Sequence, residues 1–94
     1  MMQIKVYATL RDVVGGPSVR LDNVTQLTIA EMIDRLFSQY PGMRPLLLNG
    51  NGELHSAFHI LVNGRDARYL NGLETTVTTR DEIRIFPPVG GGLG

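Results

Sequence analysis

The chain has no cysteine among its 94 residues. That removes disulfides, thiolate metal sites and thiol nucleophiles together. It also has no excess of either charge: nine basic residues balance nine acidic ones. A balanced chain offers no electrostatic footprint for nucleic acid and no polybasic surface for a membrane. No segment approaches the ~18–20 consecutive apolar residues that span a bilayer. The opening Met1-Met2-Gln3-Ile4-Lys5 lacks the apolar core of a secretion signal, so the expected location is the cytoplasm.

Catalytic constellations are absent too. The two histidines, His55 and His59, are four residues apart. That spacing suits a metal on a helix, but on a strand it separates the rings by ~13 Å. Asp12, Asp22, Glu53 and Glu74 are scattered and form no paired-carboxylate site. No nucleophile stands beside a base. Gly15-Gly16 and Gly90-Gly91 lack the strand–loop–helix context and the Lys-Ser/Thr of a phosphate loop. The expectation is a chain with no bound metal or cofactor and no self-contained active site.

What is present is an ordinary globular composition, 43% hydrophobic. A chain this size makes one domain and buries roughly 60–65% of its unfolded surface. Gln3 to Thr9 alternates, with Ile4, Val6 and Ala8 on one face and Gln3, Lys5, Tyr7 and Thr9 on the other. Period two predicts a half-buried strand. Gly15-Gly16-Pro17 is a turn signal, and Ser18 to Asp22 alternates again, which predicts an antiparallel hairpin. Thr28 followed by Glu31 reads as a capping box. Ile29, Met32, Ile33, Leu36, Phe37 and Tyr40 then fall on one helical face, and Pro41-Gly42 ends the helix near Tyr40.

Arg44 to Leu48 reads as a helical turn or a short strand, and Asn49 to Gly52 as a loop. Phe58 to Asn63 alternates as a strand, and Asn63-Gly64 predicts a type I′ turn. Ala67 to Leu70 reads as a short return strand and Gly72 to Val77 as an irregular connection. Thr78 to Asp81 is turn-like. Glu82 to Phe86 is a final strand that Pro87-Pro88 stops, because neither proline donates to a ladder. The order β-β-α-β-β(short)-β predicts an α+β, ubiquitin-like β-grasp: a mixed four- to five-stranded sheet with one main helix on one face.

The last nine residues read Phe-Pro-Pro-Val-Gly-Gly-Gly-Leu-Gly. Residues 1–87 are expected to form the body and 88–94 a flexible glycine tail. Glycine-rich chain packs poorly, and the prolines stiffen its exit. Extended, the tail reaches ~20 Å, enough to enter another protein's active site. A terminal glycine has no Cβ to clash in a narrow channel. If such a chain carries sulfur, the covalent handle left to it is the C-terminal carboxylate.

Ile4-Lys5-Val6-Tyr7-Ala8, Leu10-Arg11-Asp12-Val13-Val14-Gly15, Val62-Asn63-Gly64, Arg80 to Ile85 and Phe86-Pro87-Pro88-Val89-Gly90-Gly91-Gly92 together resemble the MoaD/ThiS sulfur carriers. Within them the likeness is greatest to the MoaD branch, the small subunits of molybdopterin synthase. The resemblance implies a C-terminal glycine that a ubiquitin-activating-type enzyme adenylates with ATP and that then accepts sulfur as a thiocarboxylate. It implies partners that dock on the sheet face away from the helix, so Arg11, Leu61, Arg84, Phe86, Pro87, Pro88 and Val89 are interface candidates. The family's Gly-Gly corresponds to Gly91-Gly92, with Gly90 before it.

This chain continues to Leu93-Gly94. The reading is that a metallopeptidase removes both and frees Gly92; without processing, Gly94 is the activated residue. The sulfur acceptor stays open among molybdopterin, with the large synthase subunit as partner, and cysteine, thiamin or thiolated tRNA. Two alternatives remain: a ubiquitin-like modifier forming isopeptide bonds, and a non-catalytic β-grasp interaction module.

Overall fold

A computed structural model describes residues 1–55 and 57–88. The chain opens with strand β1 (Met2–Val6), whose Met2, Ile4 and Val6 are buried while Gln3 and Lys5 face out. Helix α1 (Thr9–Val14) follows and ends at Gly15, which takes the left-handed conformation at φ 78°. Strand β2 (Ser18–Leu21) returns antiparallel to β1, pairing Ile4 with Val19 and Gln3 with Arg20. The first hairpin is therefore as the alternation predicts. The strand is not: it stops at Val6 rather than Thr9, and its long connection contains a helix that the turn signal concealed.

Strand β3 (Gln26–Thr28) leads directly into the main helix α2 (Ile29–Gln39). Thr28 Oγ1 accepts from the Glu31 amide at 3.1 Å, and Glu31 Oε1 accepts from the Thr28 amide at 2.9 Å. The capping box is thus complete, and such a cap is worth ~1 kcal/mol. Ile29, Met32, Ile33, Leu36 and Phe37 are buried on one face, and Glu31, Asp34, Arg35, Ser38 and Gln39 are exposed on the other. Burying side chains of this size contributes roughly 1.5–3 kcal/mol each. The helix stops at Tyr40 before Pro41, as expected.

A 3₁₀ turn (Pro41–Met43) and the one-turn helix α3 (Arg44–Leu47) close that end. Strand β4 (His59–Val62) and the two-residue strand β5 (Arg65–Asp66) form a hairpin around Asn63 and Gly64, at φ 53° and 85°. Those positive values fit a type I′ turn. The predicted return strand at Ala67 to Leu70 is corrected: the strand is Arg65–Asp66, and Ala67–Tyr69 forms a 3₁₀ turn whose start the Asp66 carboxylate caps. Gly72–Glu74 is another 3₁₀ turn, and strand β6 (Thr76–Thr78) pairs with β3 in a separate two-stranded sheet.

Strand β7 (Ile83–Phe86) lies at the centre of the five-stranded sheet, in the order β2-β1-β7-β4-β5. It runs parallel to β1 and antiparallel to β4. Ile83 and Ile85 are 1% and 0% exposed, so the last strand is anchored on the core beneath α2. The mixed sheet with a helix packed on one face is the β-grasp arrangement, and it leaves the other sheet face open.

The turn before β7 carries a pH dependence. Asp81 accepts from Asn63 Nδ2 at 2.9 Å and from the Thr78 amide at 2.7 Å. The Asn63 hydrogen bond, then that of the Thr78 amide, holds the Asp81 carboxyl below its usual 3.8. The unfolded chain therefore binds the proton first. The stabilisation is complete above the unfolded value and is lost as pH falls through the folded one. Asp81→Asn is expected to flatten the acid limb of a denaturant-midpoint profile. An unchanged limb would remove Asp81 from it.

Candidate docking face and root of the C-terminal segment

The site begins where β7 ends. Phe86 is half-buried, and its ring stacks on Tyr7 with centroids 4.3 Å apart and planes 10° from parallel. The parallel β1–β7 register, which pairs Val6 with Ile85, brings the two rings to adjacent strand ends. Arg11, one turn into α1, lays its guanidinium 4.8 Å from the Tyr7 centroid and donates from Nε to the Val6 carbonyl at 2.9 Å. Arg11, Tyr7 and Phe86 thus form a three-tier stack in which a cation faces an aromatic pair. A stacked pair contributes ~0.5–1.5 kcal/mol beyond its burial, and an exposed cation–π contact ~0.5–1 kcal/mol.

The turn that makes this possible is strained. The Leu10 amide donates to the Tyr7 carbonyl at 3.2 Å, closing a four-residue turn. Ala8 sits at its second position with φ 54° and ψ −134°. That is the type II′ geometry, which favours glycine. An alanine there costs on the order of 1–2 kcal/mol. Ala8 is exposed, so its predicted inward placement on β1 is corrected. The chain reverses at this residue instead of continuing the strand.

Beside the stack runs a row across the open face. Lys5 of β1 lies opposite Arg84 of β7, and Arg84 lies opposite Leu61 of β4. Glu82 separates the two cations, 3.7 Å from Lys5 Nζ and 3.2 Å from an Arg84 terminal nitrogen. Arg84 Nε is buried and has no hydrogen-bond acceptor among the described residues. A buried donor of this kind costs ~1–3 kcal/mol until something accepts from it. His59, opposite Phe86, pairs through Nδ1 with Asp66 Oδ2 at 2.8 Å. Burial raises the Asp66 carboxyl, but the Arg68 amide and His59 outweigh it and hold it below its usual value.

The sequence candidates therefore divide. Leu61, Arg84 and Phe86 share the open face, with Arg11 at its end above Tyr7. Pro87 is buried, so it anchors the exit rather than offering contact surface, and Pro88 is half-buried. Val89, Gly90, Gly91, Gly92 and Gly94 lie outside the described residues. Sequence reasoning passed over Tyr7, Lys5 and Glu82. The alternation did place Tyr7 on the outer face, and Arg11 four residues on was the remaining signal.

A helix-backed mixed sheet with the C-terminal strand at its centre defines a ubiquitin-like β-grasp protein. The chain belongs to the ThiS family, whose model matches residues 4–92. It is 32% identical over 93 residues to small archaeal modifier protein 3 of Haloferax volcanii, covering 97% of this chain and 98% of that protein. It is 44% identical over 68 residues to a putative sulfur carrier protein of Archaeoglobus fulgidus, covering 71% and 76%. It also matches a chain in the crystal structure of the Amycolatopsis orientalis BexX/CysO complex, with TM-score 0.75 and 31% identity over 98% of this chain and 100% of that one.

Proposed function

We propose that this chain is a sulfur carrier whose C-terminal glycine is adenylated by a partner enzyme and converted to a thiocarboxylate. The carboxylate attacks the α-phosphate of ATP and releases pyrophosphate. Hydrosulfide supplied by the donor system then attacks the acyl carbon and expels AMP, leaving the thiocarboxylate and a proton. The partner supplies ATP, channel and catalysis, and this chain supplies the acyl end and the surface that aligns it.

The observation that supports the reading is the clustering of Arg11, Tyr7 and Phe86 at the end of β7. Arg11, Tyr7 and Phe86 stand where β7 gives way to Pro87-Pro88. A partner that covers the stack also meets Pro87-Pro88, where the glycine segment begins in the sequence. The partly exposed side chains of Arg84 and the apolar Leu61 opposite it extend that face. A related chain crystallised in a complex supports a role exercised through a bound partner.

Gly92 is the residue proposed to be thiolated, after a metallopeptidase has removed Leu93-Gly94. The family match ends at Gly92, which supports that boundary. The pathway favoured by the Phe-Pro-Pro-Val sequence is molybdopterin synthesis, with this chain as the small synthase subunit. A second reading, covalent attachment to lysines, is favoured by the relative named as a modifier, which matches over nearly the full chain. Both use the same acyl-adenylate.

The test is reconstitution with the organism's own adenylating enzyme, ATP and a sulfur donor, using chains ending at Gly92 and at Gly94. Adenylation of the Gly92 chain with little of the Gly94 chain is expected. Equal use of both removes the processing step, and use of neither removes the carrier function. Lysine conjugates on a denaturing gel, with no thiocarboxylate by mass, would replace the first reading by the second.

A further inference from the structure

Lys5 is the single lysine of the sequence, and the other eight basic residues are arginines. The difference matters for a chain whose terminal glycine is activated as an acyl-adenylate. A guanidinium stays protonated and has no lone pair to attack with, whereas a lysine amine that sheds its proton is a nucleophile. Lys5 is therefore the one side chain that can take an activated acyl group as an amide.

The fold places that amine on the open face. Lys5 points out from β1 in register with Arg84 of β7, which is in register with Leu61 of β4. Its side chain is 46% exposed, and Nζ lies 3.7 Å from Glu82 Oε2, which also holds Arg84 at 3.2 Å. Successive outward residues of a strand stand ~7 Å apart, so Lys5 is one such step from Tyr7, and Arg84 is one step from Phe86. We propose that Lys5 is the site at which a second, activated copy of this chain is joined, and that the join covers the docking face of the copy that receives it. The inference rests on the acyl-adenylate of the reading above and adds its acceptor. The ammonium gives up a proton, for which the Glu82 carboxylate stands beside it as acceptor. Nζ then attacks the acyl carbon of the other copy. A C–N bond forms, the bond from that carbon to the AMP oxygen breaks, AMP leaves, and the nitrogen sheds its second proton. The donor's glycine segment then starts at Lys5, inside the row that a partner has to cover.

The test mixes two forms of the chain ending at Gly92 with the organism's own adenylating enzyme and ATP, without a sulfur donor. The donor is unlabelled, and the acceptor carries nitrogen-15 with either Lys5 or Lys5→Arg. Peptide mapping is expected to show donor Gly92 amide-linked to labelled Lys5, and no labelled Lys5→Arg chain that has received a donor. Linkage at the Met1 α-amine or elsewhere, with none at Lys5, would overturn the site. In the purified two-copy product only the receiving copy has a free terminus. Its ATP–pyrophosphate exchange is expected to be at least about tenfold slower than that of the single chain. Equal exchange would overturn the covering of the docking face. If the single chain supports no exchange at all, the carrier reading fails by itself. A Gly92 thioester made chemically then replaces the adenylate, and the same labelled arms decide Lys5.

Discussion

Phe86→Ala is expected to weaken engagement of the proposed adenylating partner by at least ~2 kcal/mol, about 30-fold in Kd or KM. Phe86 is the last residue of the central strand, and it lies in register with His59 and stacked on Tyr7. Half-buried aromatics at the centre of a docking face are the usual hot spots, because their burial is completed only when the partner arrives. The body should also lose stability, ~1 kcal/mol for the stacked pair plus the transfer energy of the part of the ring that the free chain already buries. Titrating the variant against the partner, alongside thermal unfolding, separates the two effects. An unchanged affinity would remove Phe86 from the interface. A fall in stability that matches the fall in affinity would make its role structural.

Leu36→Ala is expected to cost ~2–5 kcal/mol of folding stability without altering the chemistry of the folded fraction. Leu36 is fully buried on the inward face of α2, within the cluster that includes Ile83 and Ile85 of the central strand. A domain of this size has roughly 5–15 kcal/mol in total, so one truncated leucine removes a large share. At about 4–8 °C per kcal/mol, the melting midpoint should drop by more than ~8 °C. A loss under ~1 kcal/mol would mean that the core collapses around the cavity and that α2 is not packed as described.

The contrast between these two positions shows what the sequence made legible. Leu36 was readable because its neighbours on the helical face repeat at three and four residues, with Thr28 and Glu31 marking where the repeat begins. Asn63-Gly64 was readable because a type I′ turn needs two positive φ angles and those residues supply them cheaply. Strands β3 and β6 were not readable. Each has three residues, and their pairing joins positions about fifty residues apart. No local pattern encodes such a contact.

The candidate site was legible as a list and not as an arrangement. Phe86 and Arg11 could be singled out one at a time. That Tyr7 joins them depends on the parallel register between β1 and β7, another contact distant in sequence. The turn at Ala8 was hidden for a different reason. Turn reading depends on residue types that suit the geometry, and here an unsuited residue occupies it. The alternation from Gln3 to Thr9 then extended the strand three residues too far.

Intact-mass and C-terminal peptide mass spectrometry of the chain purified from its own cells tests the central claim most directly. The expected result is a population ending at Gly92 in which one terminal oxygen is exchanged for sulfur. A chain found only with an ordinary carboxylate at Gly94, with neither sulfur nor a lysine conjugate at its terminus, would contradict it.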